Sequence, residues 1–282
     1  MKVLAGIVLY NPDLNRLNEN VNNIIKQVDE IILIDNNSRN IKEILIYLDK
    51  IKKVKLVKNK ENKGIAYALN QILNYAYDND YEWFITLDQD SVVNNALIKE
   101  YKKYININNI AMMSCNIRDR NYDRNDNNLN SNYEKINFCV TSGAFNNTHI
   151  LKKVGGFDDS LFIDEVDHDI CLTLRENKYD IIKINFFGLL HELGNTKTIF
   201  FLGKRPQIHN HSPFRTYYIV RNKIIMIYKH NEWNNIKERN ELLKRIILIL
   251  FFQKNKIQNF KAIVKGIKDS RKMIKKYKGV YQ

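Results

Sequence analysis

Trp83-Phe84-Ile85-Thr86-Leu87-Asp88-Gln89-Asp90 is the stretch on which the fold turns. Residues 83–87 are aromatic, β-branched or aliphatic, the pattern of a strand buried on both faces. The run stops abruptly at two carboxylates one residue apart. Three further runs precede it, at residues 3–10, 30–34 and 54–57. Between them, residues 14–28, 41–51 and 65–77 repeat apolar positions at helical spacing. This alternation predicts an α/β fold, a Rossmann-like, mainly parallel sheet with helices on both faces. In such sheets ligands bind in the crevice beyond the carboxyl ends of the strands, and three of the four strands end in polar residues.

Two carboxylates at this spacing can face one hard cation that bridges a diphosphate. The spacing alone discriminates little, because it recurs at Asp78-Asn79-Asp80 and at Asp167-His168-Asp169. Only the Asp88 copy closes a buried strand, where the crevice should open; a solvated turn is the plainer alternative. Asp35 closes the second strand, as a ligand for a base or ribose or as the cap of an Asx turn. Asn62-Lys63-Gly64 opens the third helix, whose amino-terminal amides suit a nucleotide; a plain turn explains the same letters.

Downstream, Asp164-Glu165-Val166-Asp167-His168-Asp169 packs four carboxylates into six positions, just ahead of helical spacing at 170–176. Ionising them together is costly unless a cation or hydrogen bonds offset the repulsion. That suits a general base or a metal site, although the helix dipole accounts for Asp169. His191 follows an apolar run and fits a core histidine as well as a ligand. His209, His211, Arg215 and Arg221 can grip phosphate or line an ordinary surface loop. Residues 116–133, rich in Asn, Asp and Arg, read as an exposed, mobile loop.

The net charge of +14 is unevenly spread. Residues 203–282 hold 20 Lys+Arg against 4 Asp+Glu, a balance of +16, and the remaining 202 residues sum to −2. Helical spacing covers 217–228, and an apolar septet at 246–252 precedes a basic, roughly amphipathic stretch at 254–278. The combination suits an interfacial helix at an anionic membrane surface; a solvated basic face is the plainer reading. No 18-residue apolar run occurs, so no membrane span is expected. Residues 1–10 read as a buried first strand rather than a signal peptide. Cys115, Cys139 and Cys171 are widely spaced and lack a CxxC pattern. They argue against a disulfide scaffold or zinc site and fit a reducing compartment.

In order, the motifs are Asp35, Asn62-Lys63-Gly64-Ile65-Ala66, Leu87-Asp88-Gln89-Asp90-Ser91, Thr141-Ser142-Gly143, and Phe157-Asp158 with Leu161-Phe162-Ile163-Asp164-x-Val166-Asp167. His191 and Tyr217-Tyr218-x-x-Arg221-Asn222 follow. This series resembles the family-2 glycosyltransferases of the GT-A fold. The Asp-Gln-Asp-Ser and Phe-Ile-Asp-x-Val-Asp pairing is most similar to the bacterial rhamnosyltransferase branch, which builds O-antigen, capsule or cell-wall rhamnan. The match covers 3–222, and more loosely continues through Gly266-Ile267-Lys268-Asp269.

The resemblance implies a GT-A catalytic domain over 1–222, with a donor-binding half at 1–115 and an acceptor and base half at 135–222. Residues 223–282 are then a basic helical extension. Asp35, Asn62, Gly64 and Asp88 would bind the donor nucleotide. Asp90, His191 and Asp88 would hold Mg²⁺ or Mn²⁺. Thr141, Ser142, Gly143 and Asp164 would line the donor-sugar and acceptor pocket, and His211 and Arg215 the diphosphate. Asp167 matches the family's catalytic base, with Asp164 as the alternative. One departure stands out: members often carry an aromatic residue after the second acidic residue, and Asp169-Ile170 stands here.

The activity so implied is inverting, metal-dependent sugar transfer. The donor is dTDP-L-rhamnose or a UDP-hexose, and the acceptor a glycan or lipid-linked oligosaccharide. The expected location is cytoplasmic, peripheral at the inner face of the cytoplasmic membrane, with homo-oligomerisation open and no nucleic-acid partner. A nucleotidyltransferase would need a Gly-rich, basic loop straight after the first strand, where Tyr10-Asn11-Pro12 stands. A nucleic-acid-binding module is disfavoured by the acid-balanced first 202 residues and the apolar septet.

Overall fold

The computed structural model describes residues 1–49, 51–119, 131–191, 197–198, 207–208 and 211–280. β1 (Val3–Leu9), α1 (Leu14–Ile24), β2 (Glu30–Asp35), α2 (Ile41–Leu48), β3 (Val54–Lys58), α3 (Ile65–Asp78) and β4 (Trp83–Asp88) follow in that order. β5 (Val92–Val93), α4 (Leu97–Tyr101), β6 (Ile110–Asp119), β7 (Tyr133–Lys135), β8 (Ala144–Asn147) and α5 (Thr148–Lys153) come next. α6 (Val166–Glu176) and β9 (Asp180–His191) follow, and then the short strands β10 (Lys197–Thr198) and β11 (Gln207–Ile208), paired antiparallel. The chain divides into two compact units: Met1–Phe162 with Val166–Leu193, and Ile163–Glu165 with Gly194–Gln282.

The first unit is built on one sheet of order β3-β2-β1-β4-β8-β6-β9-β5, with β7 also on β9. β3, β2, β1 and β4 are mutually parallel, as their helical crossovers require. β8 runs antiparallel between β4 and β6, so the sheet is mixed rather than parallel throughout. α1 starts where the Asp13 carboxylate accepts the Asn15 and Arg16 amides, and it buries Leu17, Asn20, Val21 and Ile24. These pack with Val3, Ala5, Ile7, Leu33, Trp83 and Ile85 in one apolar core.

Three expected boundaries shift. α1 stops at Ile24 rather than 28, because Gln27 leaves the helix to cap α4 through Ile98. α6 begins at Val166, four residues earlier than its apolar spacing suggested, so Asp167 and Asp169 lie inside its first turn. The loop expected at 116–133 is strand at both ends: Asn116 to Asp119 pair with β9 and Tyr133 opens β7. Backbone pairing there overrides the low strand propensity of the side chains. Residues 120–130 lie outside the described residues.

The second unit contains α7 (Pro213–Lys229), α8 (Ile236–Phe252) and α9 (Lys256–Val280). The Ser212 side chain caps α7 by accepting the Arg215 N–H, with Pro213 at the first helical position. Val220, Ile249 and Ile263 form its core. α9 lies so close to α7 that a Cβ at Gly266 would meet the Tyr217 carbonyl oxygen at 2.9 Å. The Thr216 hydroxyl donates to Asn259 at 3.0 Å and the Tyr217 hydroxyl to Asp269 at 3.1 Å. The unit therefore includes the whole of α7, inside which the expected boundary at residue 222 falls. Among the described residues, no helix is long and apolar enough to cross a membrane.

Candidate active site

Asp88 and Asp90 flank Gln89 at the carboxyl end of β4, where β1 runs alongside with Val8 opposite Asp88. All three are half-buried. Gln89 is engaged by the protein itself. Its Oε1 accepts the Tyr10 N–H at 2.9 Å and its Nε2 donates to the Tyr10 carbonyl at 3.4 Å. The side chain thus continues the β1–β4 ladder past the last backbone pair and fixes the turn between the carboxylates. The Asp88 N–H donates to Ser142 Oγ at 3.0 Å, and its carbonyl accepts Asn20 Nδ2 at 2.7 Å. Ser91, fully buried, shares a 2.8 Å hydrogen bond with Ser142.

Thr141-Ser142-Gly143 is bound to the same strand. The Gly143 N–H donates to the Thr86 carbonyl at 2.8 Å, and the Thr86 hydroxyl donates to the Thr141 carbonyl at 2.6 Å. The Tyr101 hydroxyl donates to the Gly143 carbonyl at 2.7 Å. Tyr101 is fully buried and stacked on Phe145, with ring centroids 5.2 Å apart. Burial pushes its phenol well above the ordinary value, so it stays protonated and acts as a donor. The structure thus brings Asp88, Asp90, Thr141, Ser142 and Gly143 to the carboxyl end of the interior strand β4.

Asp35 is 1% exposed, and its two oxygens accept the Ser38 N–H at 3.1 and 3.3 Å. Ser38 Oγ accepts the Asn11 N–H at 2.8 Å, and Asn36 Nδ2 donates to the Gly64 carbonyl at 3.0 Å. The Gly64 N–H donates to Asn62 Oδ1 at 2.9 Å, and the Ile65 N–H to the Phe162 carbonyl at 2.6 Å. Gly64 has φ +88°, and a Cβ there would lie 2.4 Å from the Phe162 carbonyl oxygen. Both backbone and space demand glycine. Asp35, Asn62 and Gly64 therefore shape the loops beyond β1 and β2 and the start of α3. The amides of Gly64 and Ile65 are taken by the chain itself, which narrows the nucleotide role expected of this turn.

The acidic segment separates by position. Asp167 and Asp169 sit where the dipole of α6 favours carboxylates. Asp169 is buried, whereas Asp167 is half-buried and accepts the His168 N–H at 3.1 Å. Asp164 and Glu165 hold φ values of 64° and 65°, left-handed backbone that costs about 1–3 kcal/mol per residue. Within the helical unit Arg215 grips Asp164 with two prongs: Nε lies 3.2 Å from Oδ2 and Nη2 3.0 Å from Oδ1. Asn222 Nδ2 donates to the Ile163 and Asp164 carbonyls at 2.7 and 2.9 Å. Both oxygens of Asp164 are engaged, and the guanidinium of Arg215 rests on a carboxylate. Arg221 is 7% exposed, donates to Asn222 at 2.9 Å and lies over the Tyr217 and Tyr218 rings. It packs within α7.

Among the described residues, no three His, Cys, Asp or Glu side chains converge as a metal cage. The side chain of His191 and all of His209 lie outside the described residues. The His191 backbone ends β9, on which β5 pairs with Val93 opposite Leu189 and Val92 opposite Leu190. The backbone partner of His191 is Asp119 of β6. Two hard carboxylates and an imidazole suit Mg²⁺ or Mn²⁺. His211 is half-buried just ahead of α7.

Asn20, Gln89, Ser91, Tyr101 and Asn222 were not singled out as positioning residues from sequence. Asn20 carried a signal: it falls on the apolar stripe of Leu17, Val21 and Ile24, where a polar side chain needs a buried partner. Gln89, Tyr101 and Asn222 act through backbone atoms distant in sequence, and Ser91 through the Ser142 hydroxyl.

The family model described as "Glycosyl transferase family 2" matches residues 5–171. The dTDP-rhamnosyl transferase RfbF of Shigella flexneri is 29% identical, over 92% of this chain and 92% of its own. Among solved structures, S. aureus TarS 1–349 superposes with a TM-score of 0.60 at 15% identity, covering 97% of this chain and 82% of that one. The mannosyltransferase PcManGT from Pyrobaculum calidifontis, in complex with GDP-Man and Mn²⁺, gives 0.59 at 13%, covering 94% and 73%. A longer TarS chain gives 0.58 at 17% identity, and the present chain spans 44% of it. At such identities the structural likeness is one of fold.

Proposed function

The chain belongs to glycosyl transferase family 2, and from that premise we propose that it moves L-rhamnose from dTDP-L-rhamnose onto a hydroxyl of a growing cell-surface glycan, with inversion. The donor assignment draws on the resemblance to RfbF, 29% identical across nearly the whole of both chains. The observation that supports the site is the Gln89–Tyr10 clamp beside Asp88 and Asp90, at the carboxyl ends of β1 and β4 where a ligand crevice is expected in such sheets. In this reading Asp88, Asp90 and His191 hold Mg²⁺ or Mn²⁺, which when bound offsets the charge of the departing nucleoside diphosphate. The loop that Asp35 folds receives the base, supported by the Asn62-Gly64 turn. Thr141-Ser142-Gly143 lines the sugar pocket.

Asp167 is the base. Its carboxylate takes the acceptor hydroxyl's proton as that oxygen attacks the anomeric carbon and the bond to the diphosphate breaks. Asp167 is the position that matches the family's base, and Asp164 carries Arg215 on both of its oxygens. In the same reading Asp164 belongs to the sugar and acceptor pocket, and His211 and Arg215 are the candidate diphosphate ligands.

The test is thermal stabilisation by a panel of nucleotide sugars, with Mn²⁺, with Mg²⁺ and with chelator. The expected outcome is the largest, metal-dependent shift with dTDP-L-rhamnose. A larger shift with UDP-glucose or UDP-galactose would move the donor to a UDP-hexose. No shift with any of them would overturn the reading.

A further inference from the structure

We propose that the α8–α9 face of the helical unit is a docking surface for an anionic lipid bilayer. Leu243, Ile247 and Phe251 recur every fourth residue on α8 and are 57%, 37% and 66% exposed. Ile257, Phe260 and Val264 form one stripe of α9 and are 74%, 56% and 50% exposed. None belongs to the Val220, Ile249, Ile263 core of the unit. Two exposed apolar stripes on packed helices mark an interaction surface rather than a solvated one. A cleft of about 500 Å³ in the same unit is lined by Ile267 and Ile274 and carries Arg239 and Arg271.

Charge selects the occupant. Residues 236–280 carry 14 Lys+Arg and 3 Asp+Glu. The three acids have partners in the unit: Glu238 pairs with Lys223 at 2.7 Å, Glu241 with Lys244 at 3.5 Å, and Asp269 accepts the Tyr217 hydroxyl. A second copy laid on this face would bring two basic surfaces together. An anionic bilayer takes the apolar stripes below its headgroups and the lysines among its phosphates. No described helix is apolar enough to span, so the helices lie on the bilayer plane.

The full chain is sedimented at physiological salt with vesicles of phosphatidylcholine alone or with about 30% phosphatidylglycerol added. Partitioning should be about tenfold or more stronger with the anionic lipid. It should fall about tenfold in a Phe251→Glu/Phe260→Glu variant whose circular dichroism is unchanged. A Phe260→Trp variant, which keeps the face apolar, should show blue-shifted emission with anionic vesicles. Equal partitioning to both lipids, no blue shift, or a dimeric mass without vesicle binding would overturn the proposal. Vesicle binding is read without catalysis, so its failure leaves the sugar-transfer reading standing.

Discussion

Gln89 binds both backbone groups of Tyr10, and this sets the spacing of the two carboxylates beside it. Asp167 and Asp164 differ in their surroundings. Asp164 has both oxygens on Arg215, whereas Asp167 is half-buried at the start of α6. Asp167→Asn is expected to keep its nucleotide-sugar thermal shift and to lose about 10²–10⁴-fold in kcat. Asp164→Asn should lose far less. Steady-state kinetics with matched thermal shifts decide between them, and near-normal turnover in Asp167→Asn would remove it as the base.

At the scale of elements, the amino-terminal end of the sheet is tied by one carboxylate. Glu30, opening β2, accepts the Tyr75 hydroxyl of α3 at 2.9 Å and the Tyr81 hydroxyl at 2.8 Å, and pairs with Lys55 of β3 at 3.2 Å. Burial alone would raise its pKa, but hydrogen bonds from Tyr81, Tyr75 and Lys55 and the Lys55 charge bring it below the ordinary value. A carboxyl depressed in the folded state adds stability above its unfolded pKa and loses it as pH falls through the folded one. Glu30→Gln should therefore lower the thermal midpoint at neutral pH. The gap between the two proteins should close from about pH 5 downward, as followed by circular dichroism melts. The βα units around this tie were legible in the sequence because their apolar runs are continuous and their helices periodic. β9 was not, because Lys183 and Asn185 interrupt Ile181, Ile182 and Ile184, and the strand exists through pairing with β6 and β7.

Across the whole molecule the two units differ in how much apolar surface they bury. The sheet unit buries a large continuous core, whereas the helical unit centres on Val220, Ile249 and Ile263. Local stability follows buried apolar contact. Native-state hydrogen exchange should show α8 amides exchanging about tenfold or more faster than those of β1 and β4. Equal protection in α8 and β1 would mean that the units open together. The charge asymmetry follows the same division, with +16 carried by residues 203–282.

The sequence by itself determined the βα order, the positions of Asp88 and Asp90 at a strand end, the glycine at 64 and the basic helical carboxyl-terminal part. Each is local, a matter of periodicity, a strand terminus, a backbone conformation or summed charge. Only the tertiary structure decided that Gln89 clamps Tyr10, that Ser142 bonds Ser91 and the Asp88 amide, that Arg215 occupies Asp164, and that α7 belongs with α8 and α9. Those contacts join residues from 43 to 79 positions apart in most cases. Hydrogen-bonding groups so distant in sequence find one another only when the packed sheet and helices bring them within reach.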